Sequence, residues 1–330
     1  PSDITITLLA IFPIIFSQIL QRLFPIVDNH FITYLGTQAL LIHNIQYSFV
    51  YLGQYIGTAS ATSCLIFWKR SEYIDTQKSI FVIHFGLCIA ISLVCLIIGN
   101  LYLKNILLHF SIQPQYWTLA KAYLRIGLIN MALQAVYLTM TGIIIAKGKE
   151  KLSLIFSVVF LVLNFSSDFI AIHFVFSGNI TPSHILPAML VIILSTTILL
   201  ALSIALMVYF IVSESSGLAF PNIREIFKIW FNELGGAFIS GIYPIIYIYQ
   251  LGTVKSASSL LITYQLLMQV TAVFCIPLLA TMQISLRDAA AEKNWLIIKS
   301  PQWWRNLFYF GLIPTQIFLI LFLMFYTYTK

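Results

Sequence analysis

Two carboxylic acids and one amide are the residues of this chain whose types and spacing could do chemistry. Asp28 lies near the end of the first long apolar stretch, and Asp168 lies within the fifth, four residues after Asn164. Residues four apart project from the same face of a helix, so Asn164 and Asp168 can together present carboxylate and amide oxygens. Hard cations bind such oxygens, and ionisable side chains in apolar segments commonly belong to ion or proton pathways. The three residues therefore predict a cation or proton site.

Asp28 and Asp168 are expected at a common membrane depth. Both helices should run in the same direction, and each acid lies roughly eight to ten residues before its helix ends. Two carboxylates in a poorly hydrated pocket repel each other, so the pair could hold a proton that a competing cation or substrate displaces. Asp28 has an alternative: if the first helix ends at Val27, Asp28 would form a cap at the membrane interface. Asp168 has none, because apolar residues continue to Phe176.

Polar and aromatic residues recur at helical spacing in five of the apolar stretches, which would place a polar stripe on each helix. One interpretation is hydrogen bonding between packed helices. The other is a partly hydrated cavity, whose aromatic rings and amides would hold a planar, cationic or amphipathic molecule. The candidate cavity residues are Gln21, Tyr51, Gln134, Tyr137, Tyr243 and Tyr247.

The composition predicts an all-α integral membrane protein. Hydrophobic residues make up 60% of the chain and charged residues 9%, and the mean hydropathy is +0.93. This leaves too little polar surface for a soluble domain. Nine stretches are apolar and long enough to cross the hydrocarbon core of a bilayer, which makes lipid the first partner. We expect these spans at residues 7–34, 39–68, 80–103, 119–146, 152–177, 184–212, 226–251, 257–286 and 304–328.

The basic residues predict an orientation. Most of the 18 Lys and Arg residues fall in alternate loops, beginning with the second. Because cytoplasmic loops are enriched in Lys and Arg, we expect the N-terminus inside and the C-terminus outside. The expected location is the plasma membrane, specifically a bacterial inner membrane. The basic residues are dispersed among short loops, which argues against nucleic-acid binding. We expect a monomer.

Enzymatic, metal and organic-cofactor motifs do not emerge from the sequence. The segment from Gly142 through Lys149 is similar to a phosphate-binding loop, but Glu150 occupies the position that requires Ser or Thr. The histidines lack metal-ligand spacing. The four cysteines all fall inside spans, where they are expected to pack. Arg22 and Glu233 also lie in apolar stretches, and their roles stay open.

An internal repeat predicts two lobes. Leu35-Gly36-Thr37 follows the first span, and Leu251-Gly252-Thr253 follows the seventh. A second copy would therefore begin after six spans, as in transporters built from repeats. We expect residues 1–213 to form a six-helix N-lobe with helices 1–6. Residues 214–330 would form a partial C-lobe with helices 7–9, from a twelve-helix fold without its last three helices.

The chain resembles the multidrug and toxic compound extrusion (MATE) family. Pro13, Val27-Asp28 and Tyr34-Leu35-Gly36 look like that family's opening helix. The stretch from Ala122 to Asp168 is similar in order and spacing to its fourth and fifth helices, where Asn followed four residues later by Asp is the cation-site element.

The resemblance implies a two-lobed bundle that exports organic cations, drugs or toxic metabolites in exchange for protons or sodium, by alternating access. Asp28, Asn164 and Asp168 would form the N-lobe cation site, with no cofactor besides the coupling ion. The family's hydroxyl ligand on the sixth helix aligns with Ile192, with Ser195 and Thr196 nearby. Two alternatives stay open: a lipid or polysaccharide flippase of the same superfamily, and a nontransporting membrane fragment.

Overall fold

A computed structural model describes residues 3–69, 76–110, 112–175, 182–213 and 221–251, and the single positions 276, 277, 280, 313, 316 and 317. Within these ranges the regular structure is entirely helical, which confirms the predicted all-α class. The seven long helices are α1 (Asp3–Thr33), α2 (Thr37–Lys69), α3 (Gln77–His109), α4 (Trp117–Ala146), α5 (Glu150–Ile170), α6 (Pro182–Ser213) and α7 (Ile223–Leu251). They correspond to the first seven predicted spans. The predicted spans at 257–286 and 304–328 lie outside the described residues, apart from the single positions.

Five of the described helical segments are long and apolar enough to cross a bilayer: Ile11–Thr33, Gln77–His109, Pro114–Ala146, Glu150–His173 and Pro187–Ser213. Helix α5 illustrates how they do so. Its buried face carries Ser153, Ser157, Asn164 and Asp168, whereas apolar side chains such as Val162 are exposed. This inverts the pattern of a soluble amphipathic helix, because here the surrounding solvent is hydrocarbon. The chain is a multi-pass membrane protein.

Helices α2 and α4 pack closely through small residues. A methyl group added at Gly57 in α2 would lie 2.5 Å from the carbonyl oxygen of Ala135 in α4, and one added at Gly142 in α4 would collide with Ala61 in α2. Small residues let helix backbones approach closely, which is a main source of attraction between helices in lipid. Helix α4 also contacts α3, α5 and α6. It is therefore the central helix of the described bundle.

Helix α1 packs mainly against α5, which brings the acid-bearing helices together. It continues through Pro13 and Pro25. Pro25 has no backbone N–H, so it cannot donate the usual helical hydrogen bond to the carbonyl of Gln21 one turn earlier. On the partner helix, the backbone changes to a π-helical turn at Ala171–Val175, directly after α5. Such turns often occur next to functional sites, and this one begins three residues after Asp168.

Candidate functional site

Asp28, Asn164 and Asp168 meet between α1 and α5. Asn164 Nδ2 donates to Asp28 Oδ1 at 2.7 Å and lies 3.4 Å from Asp168 Oδ2. The two carboxyl groups are within hydrogen-bonding reach of each other. Asp28 is 7% exposed, and Asn164 and Asp168 are 0% exposed. This proximity agrees with a common depth for the two acids. The alternative in which the first helix ends at Val27 is wrong, because α1 continues to Thr33.

A hydroxyl group from α6 completes this cluster. The Thr196 hydroxyl donates to Asn164 Oδ1 at 2.8 Å, with the carbonyl of Ile192 at 3.1 Å as its alternative acceptor. Thr196 lies one helical turn after Ile192, the position that aligns with the family's hydroxyl ligand, and is one of the two nearby hydroxyl residues that the sequence offered. Ile192 contributes only its main-chain carbonyl, which also accepts from the Ser195 hydroxyl at 2.8 Å. We call Asp28, Asn164, Asp168 and Thr196 the acid cluster.

One atom of the acid cluster is unsatisfied. Asp168 Oδ1 is buried and has no hydrogen-bond partner among the described residues. A buried carboxylate oxygen without a partner is costly, and it can accept a hydrogen bond, a proton or a cation. No group of three or more His, Cys, Asp or Glu side chains with the arrangement of a metal site occurs in the described part of the chain.

A cleft adjoins the acid cluster and contains about 490 Å³ of space, its open mouth included. Asp28 and Thr196 lie in its wall, together with side chains from α1, α2, α4, α5 and α6. The other lining residues are Gln21, Phe24, His43, Gln46, Tyr47, Val50, Tyr123, Asn130, Gln134, Phe160, Ile192, Ile193 and Leu200. Amides and aromatic rings predominate over charges in this wall, as in pockets for small amphipathic molecules. We call it the main cleft.

The candidate cavity residues divide into three groups. Gln21 and Gln134 line the main cleft. Tyr51 and Tyr137 are not among the lining residues of the main cleft, and their place in a substrate cavity stays a prediction. Tyr51 packs against Tyr47 with ring centroids 5.2 Å apart, and Tyr137 is fully buried beside Phe160. The side chains of Tyr243 and Tyr247 lie outside the described residues, as does that of Arg22.

His43 is a cleft residue that sequence reasoning missed. Its Nδ1 forms a 2.7 Å hydrogen bond with the Tyr123 hydroxyl, and its Nε2 is buried without a partner among the described residues. By contrast, both ring nitrogens of His84 are satisfied, by Ser63 at 2.9 Å and by the carbonyl of Ile80 at 2.8 Å. The spacing of His43 from Tyr47, one helical turn later in the polar stripe of α2, was the available signal.

Comparison with known proteins gives a match to a family model and a shared fold. Residues 13–170, which include Asp28, Asn164 and Asp168, match the MatE family model. No curated protein matches the chain in sequence.

Several solved structures share the fold at low sequence identity. An outward-facing multidrug resistance MATE family transporter of the MOP superfamily superposes with a TM-score of 0.72 and 13% identity, covering 91% of this chain and 68% of its own. A MATE structure in complex with MaD3S gives 0.76 and 14%, covering 97% and 73%. A MOP superfamily transporter from Pyrococcus furiosus, described as having a binding pocket of reverse polarity, gives 0.69 and 14%, covering 89% and 67%.

Proposed function

We propose that this chain, whose residues 13–170 match the MatE family model, is a MATE family antiporter that exports organic cations by alternating access in exchange for protons. The acid cluster carries this proposal. Two carboxyl groups in contact at the interface of α1 and α5, shielded from bulk water, can bind and release a cation as the helices move. The family resemblance alone would leave the chemistry of this chain open.

The geometry of the acid cluster favours a proton over sodium. Two carboxyl groups can share a hydrogen bond only if one of them carries a proton. Asn164 presents its amide N–H to Asp28 at 2.7 Å and its oxygen to Thr196 at 2.8 Å. A sodium ion would require oxygens turned toward it, so the amide would have to rotate and lose both hydrogen bonds.

The main cleft supports an organic cation as the substrate. It is adjacent to the acid cluster, since Asp28 and Thr196 lie in its wall. Tyr47 and Tyr123 supply aromatic rings to its wall, and Gln21 and Gln134 supply amide groups. Ring faces attract organic cations, and a deprotonated acid pair would add negative charge at the cleft wall. Proton and substrate could therefore compete for the same negative charge, which is a direct means of coupling.

The test is efflux from liposomes that contain the purified full chain and a fluorescent organic cation. Proton and sodium gradients are imposed separately, and efflux is compared between the wild type and D168N. We expect a proton gradient to drive efflux in the wild type and D168N to abolish it, because an amide cannot release a proton. E150Q is the matched control, since Glu150 is an acid at the start of the same helix, outside the acid cluster.

Three outcomes would count against the proposal. Unchanged efflux in D168N would remove Asp168 from the coupling mechanism. Efflux driven by sodium but not by protons would overturn the assigned ion. Movement of lipid-linked substrates, without efflux of the cation, would replace the antiporter with a flippase.

A further inference from the structure

A second buried polar cluster lies on the same two helices as the acids. Ser17 Oγ in α1 lies 3.0 Å from Ser153 Oγ and 2.7 Å from Ser157 Oγ in α5, and either atom of each pair can donate. Gln21 Nε2 donates to Ser157 Oγ at 3.3 Å. Ser17, Ser153 and Ser157 are at most 1% exposed, and Gln21 is 7% exposed. We call these four residues the hydroxyl cluster.

The hydroxyl cluster is separated from the acid cluster by an aromatic pair. Gln21 precedes Asp28, and Ser157 precedes Asn164, by seven residues each, so the clusters lie about 10 Å apart along the helices. Phe24 and Phe160 occupy the level between them, with ring centroids 4.5 Å apart. Both rings are buried. Two polar layers thus enclose one apolar layer at the interface of α1 and α5.

Two clefts meet at this level. A second cleft of about 350 Å³, its open mouth included, lies among α1, α2 and α4 toward the end of the bundle that carries Lys147. Ser17 and Gln21 line it together with Thr58 and Thr141. Gln21 also lines the main cleft. Pro25 cannot donate a hydrogen bond to the Gln21 carbonyl. Gln21 can therefore offer both its backbone carbonyl and its side-chain oxygen to a water molecule at the place where the two clefts meet.

We propose that the hydroxyl cluster is a proton relay that connects the second cleft with the acid cluster, and that Phe24 and Phe160 form its gate. The inference rests on the proposed function, because it supplies a route for the ion that the acid cluster exchanges. Each serine hydroxyl accepts one proton from a neighbour and passes its own proton on, so the cluster ends chemically unchanged. Water admitted beside Gln21 when the rings separate carries the proton across the remaining distance.

The surroundings of the hydroxyl cluster suit protons. Among the described side chains of this cluster and the second cleft, none is charged. The Tyr137 hydroxyl of α4 is a titratable group beside Ser157 and Gln21. Each neutral hydroxyl can donate or accept a hydrogen bond, so the direction of the hydrogen bonds in the cluster can reverse. Protons can therefore pass without an ion bound in the cluster. Phe24 and Phe160 lie in the wall of the main cleft between Gln21 and Asp28, and as the gate of the proposed relay they would limit the passage of water between the two clusters.

The relay is tested by proton leakage in the absence of any substrate. Liposomes that contain the full chain and a trapped pH-sensitive dye receive an imposed pH gradient, which the wild type should maintain. F160A should lose the gradient, because removing the ring opens space for water between the two clusters. F160A/Q21L should maintain it again, since leucine has a similar volume to glutamine but cannot hold water at the junction. F160L, which retains more of the volume, should lose the gradient more slowly.

Phe156 provides the matched control on the same helix. Its ring faces Phe210 of α6, with centroids 6.3 Å apart, away from the hydroxyl cluster. F156A should therefore remain proton-tight. As a second measurement, S157A keeps both rings and should slow proton-driven efflux while the main cleft binds the fluorescent cation with unchanged affinity.

Three results of the leak assay would overturn the relay. The first is an F160A protein that is proton-tight although its gel-filtration profile matches the wild type. The others are a proton leak in F160A/Q21L equal to that in F160A, and a leak of sodium without a leak of protons. Unchanged proton-driven efflux in S157A would also overturn it. These outcomes are independent of the antiport test, because the leak needs neither Asp168 nor a substrate. A leaking F160A combined with normal efflux in D168N would retain the route and reject the coupling role of the acids.

Discussion

The Asn164 amide donates a 2.7 Å hydrogen bond to Asp28, a residue 136 positions earlier in the chain. Its oxygen accepts the hydroxyl hydrogen of Thr196 in α6 at 2.8 Å. One side chain in α5 therefore joins α1 and α6. Any displacement of α1 relative to α6 must break or lengthen one of these two bonds, so Asn164 couples the state of the acids to the arrangement of the three helices.

Replacing Asn164 should destabilise the bundle. N164A removes both hydrogen bonds and leaves Asp28 and Asp168 in contact without the bridging amide. We expect a loss of about 1 to 3 kcal/mol in the free energy of unfolding, the usual cost of leaving a buried polar group unsatisfied. Thermal unfolding in detergent measures it. S166A is the control, because Ser166 is exposed on the same helix and its hydroxyl donates to the Val162 carbonyl one turn earlier. Equal melting temperatures for N164A and the wild type would contradict this.

Thr196 should matter for coupling through its hydroxyl. T196V preserves the shape but removes the donor to Asn164 Oδ1, which frees the amide to rotate. A lost hydrogen bond of about 1 kcal/mol corresponds to about a fivefold change, so efflux at a fixed proton gradient should fall about fivefold. T196S should restore it. S195A is the comparison, since the Ser195 hydroxyl donates to Ile192 of its own helix and accepts from Ser167 of α5, without contacting the Asn164 side chain. A normal rate in T196V would exclude this role.

Substitutions at His43 and His84 should have different effects, one on binding of the organic cation and the other on the stability of the protein. His43 lines the main cleft and has one unsatisfied ring nitrogen, whereas His84 bonds neighbours through both. H43F should weaken binding of the fluorescent cation several-fold, measured by titration of the purified protein. H84F should lower the melting temperature instead, because it leaves Ser63 without its partner. The assignment fails if the two variants behave alike in both measurements.

Gly57 should be intolerant of a side chain. In G57A the new methyl group would lie 2.5 Å from the Ala135 carbonyl oxygen, so α2 and α4 would have to separate. Overpacking of this kind costs about 1 to 3 kcal/mol. G86A in α3 is the matched control, because a methyl group there meets nothing within 4 Å. Thermal unfolding of the two variants compares them, and a stable G57A protein would show that the helix contact can relax.

The cation-site residues illustrate what local spacing can predict. Asn164 and Asp168 are four residues apart, so their common face follows from helix geometry alone. The proximity of Asp28 followed from counting helical rise in a second helix of the same direction. Both inferences need only the period and length of a helix. The structure agrees, since these side chains lie within hydrogen-bonding reach.

The contacts between helices could not be predicted in the same way. Tyr51 and Tyr137 belong to polar stripes, yet Tyr51 packs behind Tyr47 and Tyr137 packs against Phe160. A stripe shows which face of a helix avoids lipid, but not whether a neighbouring helix or a cleft covers that face. The hydroxyl position on α6, aligned with Ile192 and with Ser195 and Thr196 nearby, stayed open for the same reason, because one turn of α6 decides which side chain reaches Asn164.

The sequence by itself determined the bilayer as solvent, the seven described helices and the acids that had to avoid lipid. These properties follow from local hydropathy and helical period, which act over a few turns. The tertiary structure decided that Thr196 joins Asn164, that His43 lines the main cleft and that Phe24 and Phe160 separate two polar clusters. Those relationships depend on how residues more than a hundred positions apart pack together, and close packing selects among alternatives that local spacing leaves equal.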